Sequence, residues 1–257
     1  MPSVARMNVT PVKSTSLQHP EEIRLERHGA VGNRDFFFVD RNGHRFGGSK
    51  KTPLLAIRAE YDAERDRMTL QLPNGICLSG PATANGEAVL VDFYGRPVPA
   101  QVVEGDWEEA LSHYTGRDVR LARADAPGGA TDVHPVTLVS LASVDLLGRQ
   151  GGREEPLDPG RFRMLLEIEG CEPHEEDTWR GRAVRAGSAV IGVGDPVPRC
   201  VITTLDPATG VKDFPTLSVI KKYRGVTDEK QLIFGVYADV LEPGTIRVGD
   251  PVEPLAV

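Results

Sequence analysis

Hydrophobic and polar positions alternate along this chain over short runs, which is the pattern of half-buried strands. Ile23–Glu26 alternates in this way, while Phe36–Val39 is a continuous apolar run that reads as a buried strand. Arg41-Asn42-Gly43-His44 follows as a hairpin turn with an Asn-Gly signal. Leu54–Tyr61 and Met68–Leu72 predict a strand pair, Pro73-Asn74-Gly75 a turn and Gly95–Pro99 a connector. Asp106–Tyr114 predicts a short helix, with Asp106 as N-cap, Glu109 three residues on and Gly116 closing it. Val119–Leu121 is a short strand.

The second half repeats this style. Val136–Val139 is a strand, Ser140 caps a helix over Leu141–Leu147 and Gly148 ends it. Arg161–Ile168 predicts a strand that opens with two cations. Val190–Val197 is a strand and turn. Pro215 starts a helix over Thr216–Tyr223, and Leu232–Leu241 with Thr245–Val248 forms a closing hairpin around Glu242-Pro243-Gly244. Val193-Gly194-Asp195-Pro196-Val197 recurs as Val248-Gly249-Asp250-Pro251-Val252, which reads as turn punctuation.

Composition agrees with a strand-rich chain: 27 Gly and 20 Pro among 257 residues are too many for a helical bundle. The length allows one large domain or two joined ones. The turn-rich, polar Arg123–Ala130 stretch is the best linker, so the expected domains are 1–125 and 126–257. A formal net charge of −7 argues against general nucleic-acid binding. No apolar run approaches a membrane span, and the start of the chain shows neither a secretory signal nor an anchor. Cys77, Cys171 and Cys200 are odd in number and widely spaced, which fits neither a disulfide framework nor a paired zinc motif. The expected compartment is reducing, most simply cytoplasm.

The chemistry concentrates around Arg199-Cys200-Val201-Ile202-Thr203-Thr204-Leu205-Asp206-Pro207-Ala208-Thr209-Gly210. Val201–Thr204 reads as a rigid β-branched strand, and the Asp-Pro-x-Thr-Gly that follows is strong turn chemistry. Arg199 would favour the thiolate of Cys200, the form that attacks electrophiles and binds soft metals. Taken locally, Cys200 reads first as a packed thiol, the usual state of a free cysteine. Lys13 and Ser14 can reach one anion together only if the chain bends between them. Arg34 stands just ahead of an aromatic strand, a good place for a fixed anion contact. Arg161 and Arg163 share a strand face by parity and could bind one anion together. Gly47–Pro53 is a basic loop without the context of a nucleotide loop. His174–Trp179 offers a lone His among carboxylates, more in keeping with a solvated loop than with a metal site, with Trp179 packed on the core. A Cys-His-acid hydrolase built from Cys200, His134 and Asp132 stays open. A thiol accompanied by scattered cations also suits a metal carried on a phosphorylated organic cofactor.

Taken with Arg161-Phe162-Arg163, Glu176-Asp177-Thr178-Trp179 and Pro243–Val252, the Cys200 stretch strongly resembles the MOSC domain. This is the domain at the C-terminus of molybdenum cofactor sulfurase. The first half, with Pro11-Val12-Lys13-Ser14 and Gly32-Asn33-Arg34 before an aromatic strand, resembles the N-terminal β-barrel domain that accompanies MOSC. The whole resembles the amidoxime-reducing component and its bacterial counterparts.

The resemblance implies a mainly β, α+β fold: a MOSC-type β-barrel with short helices plus an N-terminal β-barrel-like domain. It implies a molybdenum cofactor (Mo-molybdopterin), with Cys200 as the protein ligand to molybdenum. Lys13, Ser14, Arg34 and Arg163 would bind the pterin and its phosphate, and Arg199, Asp132 and His134 would border it. The implied activity is reduction of N-oxygenated compounds, with electrons from a separate reductase because no haem, flavin or iron–sulfur motif is present. Two alternatives stay open: a sulfur-transfer protein with a persulfide on Cys200, and a non-catalytic cofactor carrier. One departure stands out. The amidoxime reducers have Pro-Asn where this chain has Met164-Leu165, so either a polar cofactor contact is lost or the pocket differs.

Overall fold

A computed structural model describes residues 1–47 and 54–256. Most of the basic loop Gly47–Pro53 therefore lies outside the described residues. The described residues are mostly strand, with three short α-helices among them at Trp107–Thr115, Leu141–Gln150 and Thr216–Arg224. The largest sheet has seven strands in the spatial order Ser3–Met7, Leu166–Glu169, Val136–Ser140, Ile233–Glu242, Ala189–Pro198, Ala183–Ala186, Val252–Pro254. Its two edges nearly meet. Val4 donates to Asp250 and Val252 donates to Pro2, both at 2.9 Å, so the sheet almost closes into a barrel. Closure removes exposed sheet edges. Inside lies an apolar core that includes Val4, Leu25, Leu138, Leu166, Ile191 and Trp179.

A five-stranded sheet, ordered Arg45–Phe46, Phe36–Asp40, Val119–Ala124, Arg96–Val103, Ala84–Phe93, forms the other body with a three-stranded sheet of Arg58–Asp62, Arg67–Gln71 and Cys77–Pro81. The Phe36–Val39 run is apolar throughout because both its faces are covered. Phe36 and Phe38 enter one core with Met68, Leu70 and Trp107, and Phe37 and Val39 enter another with Val91 and Phe93. Each fully buried side chain of this size contributes about 1.5–3 kcal/mol.

The two halves interleave. Ser3–Met7 belongs to the seven-stranded sheet, and Glu22–Glu26 pairs with Gly244–Arg247. This places the loops after Val9 and Ala30, both early in sequence, against the second half.

Several local readings change. Arg96–Val103 is a strand, despite Pro97 and Pro99, because its second neighbour pairs with it only from Ala100 onward. Gly148 lies inside the Leu141–Gln150 helix and does not end it. A Cβ there would stand 3.4 Å from Leu157 Cβ, so glycine serves close packing. Val193–Val197 is a bulged stretch of the Ala189–Pro198 strand, not a turn. Arg161–Ile168 is a 3-10 turn over Pro159–Phe162, and the strand starts only at Leu166. His174–Trp179 is not a solvated loop: Glu176 is buried and accepts from Ser143 Oγ and from the Ser140 N–H at the helix start. Trp179 is buried as expected. No helix among the described residues is long and apolar enough to cross a membrane.

Candidate functional site

A tight bend builds the first wall of the site. Thr10 and Thr15 are fully buried, share a 2.7 Å hydroxyl contact and both donate to the Val12 carbonyl. This clamp turns the chain so that Ser14 takes a φ of 74°, and Lys13 and Ser14 reach the same cavity. Arg34 sits at φ 58° in the neighbouring loop. Buried Asn33 holds that loop by accepting from the Thr10 N–H at 3.0 Å, and Arg34 donates its own N–H to the Thr10 carbonyl at 2.8 Å.

The second half supplies the facing wall. Arg163 follows the 3-10 turn in a left-handed conformation, φ 54°. Its Nη2 donates to the Thr15 carbonyl at 2.7 Å, and its own carbonyl accepts from Arg34 Nη2 at 3.2 Å. Tyr94 is also left-handed, at the tip of the hairpin after Ala84–Phe93. Four of the seven non-glycine residues with positive φ among those described are thus Ser14, Arg34, Tyr94 and Arg163, and all line this cavity. Such conformations cost about 1–3 kcal/mol each and gather where function fixes geometry.

The cavity measures about 420 Å³ and lies between the halves. Every residue singled out for a cofactor or metal borders it: Lys13, Ser14, Arg34, Asp132, His134, Arg163, Arg199 and Cys200. Cys200 is exposed, at the start of a 3-10 turn over Val201–Thr204 where a strand was expected. The turn forms because Thr203 folds back, giving both its N–H and its hydroxyl to the Cys200 carbonyl. The Asp206–Gly210 turn holds as read, with Asp206 Oδ1 accepting from Ala208 N, Thr209 N and Thr209 Oγ1.

Arg161 does not act with Arg163. It is buried, makes a bidentate pair with Asp213 at 3.1 and 3.0 Å, and donates to the Thr203 carbonyl. It therefore braces the Cys200 turn from behind. Arg199 donates to the Phe234 and Phe162 carbonyls and to Met164 Sδ, so its hydrogen bonds point into the protein and not to the thiol. Met164 takes a place in the cavity wall, while Leu165 turns into the barrel core.

The hydrolase arrangement fails. Asp132 carboxylate oxygens meet Lys13 Nζ at 2.5 Å and Arg34 Nη1 at 3.4 Å, whereas His134 Nδ1 meets Asp239 Oδ1 at 2.9 Å. Nor do the described residues hold any cluster of three or more His, Cys, Asp or Glu arranged to bind a metal, the His174 region included.

Charge is unbalanced in the cavity. Among the described residues, Lys13, Arg34, Arg161, Arg163 and Arg199 line it against the single carboxylate of Asp132, and only Arg161 is neutralised from behind. The titrations carry the mark of this. Burial, then Arg34, brings Arg163 down to about 9. Burial also brings Arg199 down to about 10. Burial lowers Lys13 to about 7, with Asp132 pulling the other way and Arg34 adding to the fall. Burial opposes the charge of Asp132 too, but Lys13 and Arg34 outweigh it and hold the carboxyl at about 2. Arg163 Nη1 is buried and has no hydrogen-bond partner among the described residues. Largely buried cations, one of them with a spare donor, call for an anion.

Among the lining residues not singled out in the sequence are Tyr94 and Tyr237, while Met164, noted there only as a departure, takes a place in the wall. Tyr94 stacks on Arg45 at 4.4 Å and lies at the mouth. Tyr237 lies 5.0 Å from His134, ring to ring, and Met164 contacts Arg199. The signals were present but faint: a Tyr-Gly hairpin tip, and Tyr237 with Asp239 at the same parity on a strand that was already recognised.

Comparison with known proteins agrees with this architecture. The MOSC N-terminal beta barrel domain model matches residues 1–112 and the MOSC domain model residues 125–253. Mitochondrial amidoxime-reducing component 1 of Danio rerio is 30% identical over 97% of this chain and 83% of its own length. Mitochondrial amidoxime reducing component 2 of Bos taurus is 36% identical over 97% of this chain and 82% of its own. The human component 2 is 37% identical over 47% of this chain and 37% of its own length. The solved YUAD protein of Bacillus subtilis aligns over 98% of this chain and 95% of its own, with 12% identity and a TM-score of 0.46. With both domain models matched in order along one chain, this protein belongs to the family of MOSC domain proteins that carry the MOSC N-terminal beta barrel.

Proposed function

We propose that the chain is a molybdenum-dependent oxidoreductase that binds the molybdenum cofactor between its two halves and reduces N-hydroxylated compounds. One observation carries the reading: an exposed thiol and an excess of largely buried cations, drawn from both halves, meet on one cavity in which Arg163 Nη1 has no hydrogen-bond partner among the described residues. The donor set fits the group. A thiolate suits a soft metal, and the cations suit a phosphate. Cys200 is the protein ligand to molybdenum, and Lys13, Ser14, Arg34 and Arg163 hold the pterin and phosphate. Arg199 fixes the backbone carbonyls behind Cys200, and Asp132 pairs with Lys13 and Arg34 and aims them.

The substrate class follows the relatives named amidoxime-reducing components. When bound, the cofactor supplies the electrons that cleave the N–O bond. The protein's part is to ligate, to hold the phosphate and to shape the mouth, and a separate reductase refills the electrons. Purified from a host that makes the cofactor, the protein is expected to reduce an aromatic amidoxime with a dithionite-reduced viologen as donor. Bound cofactor with no reduction of amidoximes or N-oxides would instead support a carrier, and cyanide-labile sulfur on Cys200 a sulfur-transfer protein.

A further inference from the structure

Reduction of an amidoxime consumes protons as well as electrons: R–C(NH2)=N–OH + 2 e⁻ + 2 H⁺ → R–C(NH2)=N–H + H2O. Resting on the functional reading above, the question is which group in the wall carries a proton from solvent to the departing oxygen. The cations already discussed donate to carbonyls or pair with Asp132, and Asp132 lies between two of them. His134 differs from all of these. Its ring borders the cavity, and its Nδ1 is 2.9 Å from Asp239 Oδ1.

The partner fixes the chemistry of the ring. An ionised carboxylate only accepts, so Nδ1 carries a proton and donates it to Asp239. Nε2 is then the nitrogen that gains and loses a proton. The side chain of Asp239 is 62% exposed and that of His134 32%, so the pair runs from solvent into the cavity wall. Register explains how the pair forms. Val136 stands opposite Ala238 in the antiparallel pairing, so the chain just before Val136 runs beside the residues after Ala238. Tyr237 and Asp239 share parity on that strand. Tyr237 packs its ring 5.0 Å from the imidazole, tilted by 42°. Among the described residues, Asp132 stands two residues before His134, Arg34 borders the same small polar pocket, and Arg199 acts on the neighbouring Tyr237.

We propose that His134 is the proton donor of this site and that Asp239 is its positioning residue. The imidazolium gives its Nε2 proton to the hydroxyl oxygen as the N–O bond breaks, and that oxygen leaves as water. The electron pair comes from the reductase through the bound cofactor. The nitrogen takes its proton from solvent at the open mouth, and solvent returns a proton to Nε2. This separates His134 from the residues that hold the cofactor: it acts on substrate, and its loss leaves the cofactor bound.

The test has two arms. In the cofactor-loaded enzyme, His134→Gln is expected to lower kcat by about 100-fold or more, with KM and bound molybdenum and pterin unchanged. His134→Ala is expected to regain activity on addition of imidazole. In cofactor-free Cys200→Ala protein, long-range ¹H–¹⁵N spectra of the imidazoles, with His134 identified by loss of its signal in His134→Gln, are expected to show the Nδ1–H tautomer. Asp239→Ala shifts that signal to Nε2–H. A fully active, fully loaded His134→Gln overturns the relay alone, as does an Nε2–H tautomer when Asp239 is intact. A wild-type protein that binds no cofactor or reduces no amidoxime overturns the functional reading, while the tautomer measurement still decides whether the pair exists.

Discussion

Lys13 is held at a disadvantage that only an anionic ligand would relieve, and this can be measured without the ligand. Its side chain is 11% exposed and its ammonium is bonded to Asp132, yet burial brings its titration from 10.5 down to about 7. At about 1.4 kcal/mol per unit this is about 5 kcal/mol between the charged and neutral forms. Because the folded-state value lies below the unfolded one, the unfolded chain binds this proton more tightly. The penalty is fully present below about pH 7 and is relieved as pH rises toward 10.5. Lys13→Met has no such proton to lose. In protein from a host that makes no cofactor, urea unfolding compared across pH with and without the Lys13→Met substitution should isolate the effect. The difference should be flat below pH 7 and move in favour of Lys13 by about 3 kcal/mol between roughly pH 7.5 and 9.5. The sign of the offset at pH 7 is set by what Asp132 loses, but the slope belongs to Lys13 alone. A difference independent of pH across that range would refute the claim that Lys13 is a buried cation short of anions.

Further outcomes follow from other residues. Arg163→Gln removes the guanidinium with the unpartnered Nη1, so the protein should fold but lose most of its bound pterin, read by fluorescence after oxidation. Burial raises buried Glu176 from 4.5 to about 6. Its contribution is therefore full below pH 4.5 and lost through pH 6, and Glu176→Gln should gain about 2 kcal/mol on wild type over that interval in urea titrations. At Gly235 (φ 70°) a Cβ would lie 2.7 Å from the Leu138 carbonyl oxygen and 2.7 Å from Met164 Cε. Gly235→Ala should thus cost about 2–4 kcal/mol and lower the thermal midpoint.

Much of this was legible in the sequence because it was local. Phe36–Val39 announces a strand covered on both faces, and the Asp-Pro-x-Thr-Gly turn after Cys200 forms from its own side chains. The membership of the cavity was legible through motif resemblance, and the eight residues so named do converge. Side-chain partners were not legible. Arg161 and Arg163 look equivalent in a string, but Asp213 lies 52 residues from Arg161 and claims it. Asp132 and His134 look like a pair, yet Lys13 and Asp239, more than 100 residues away on either side, take one each. The mount of Cys200 was misread for a related reason. Val201–Thr204 has strand propensity, but Thr203 bonding to the Cys200 carbonyl and to Arg161 overrides it.

The central claim is that the cavity between the halves holds a molybdenum–pterin group ligated by Cys200, and molybdenum-edge X-ray absorption tests it most directly. Protein from a cofactor-making host should show molybdenum with a sulfur neighbour that is lost in Cys200→Ala while bound pterin remains. Identical sulfur coordination in wild type and Cys200→Ala, or wild-type protein without molybdenum and pterin, would contradict it.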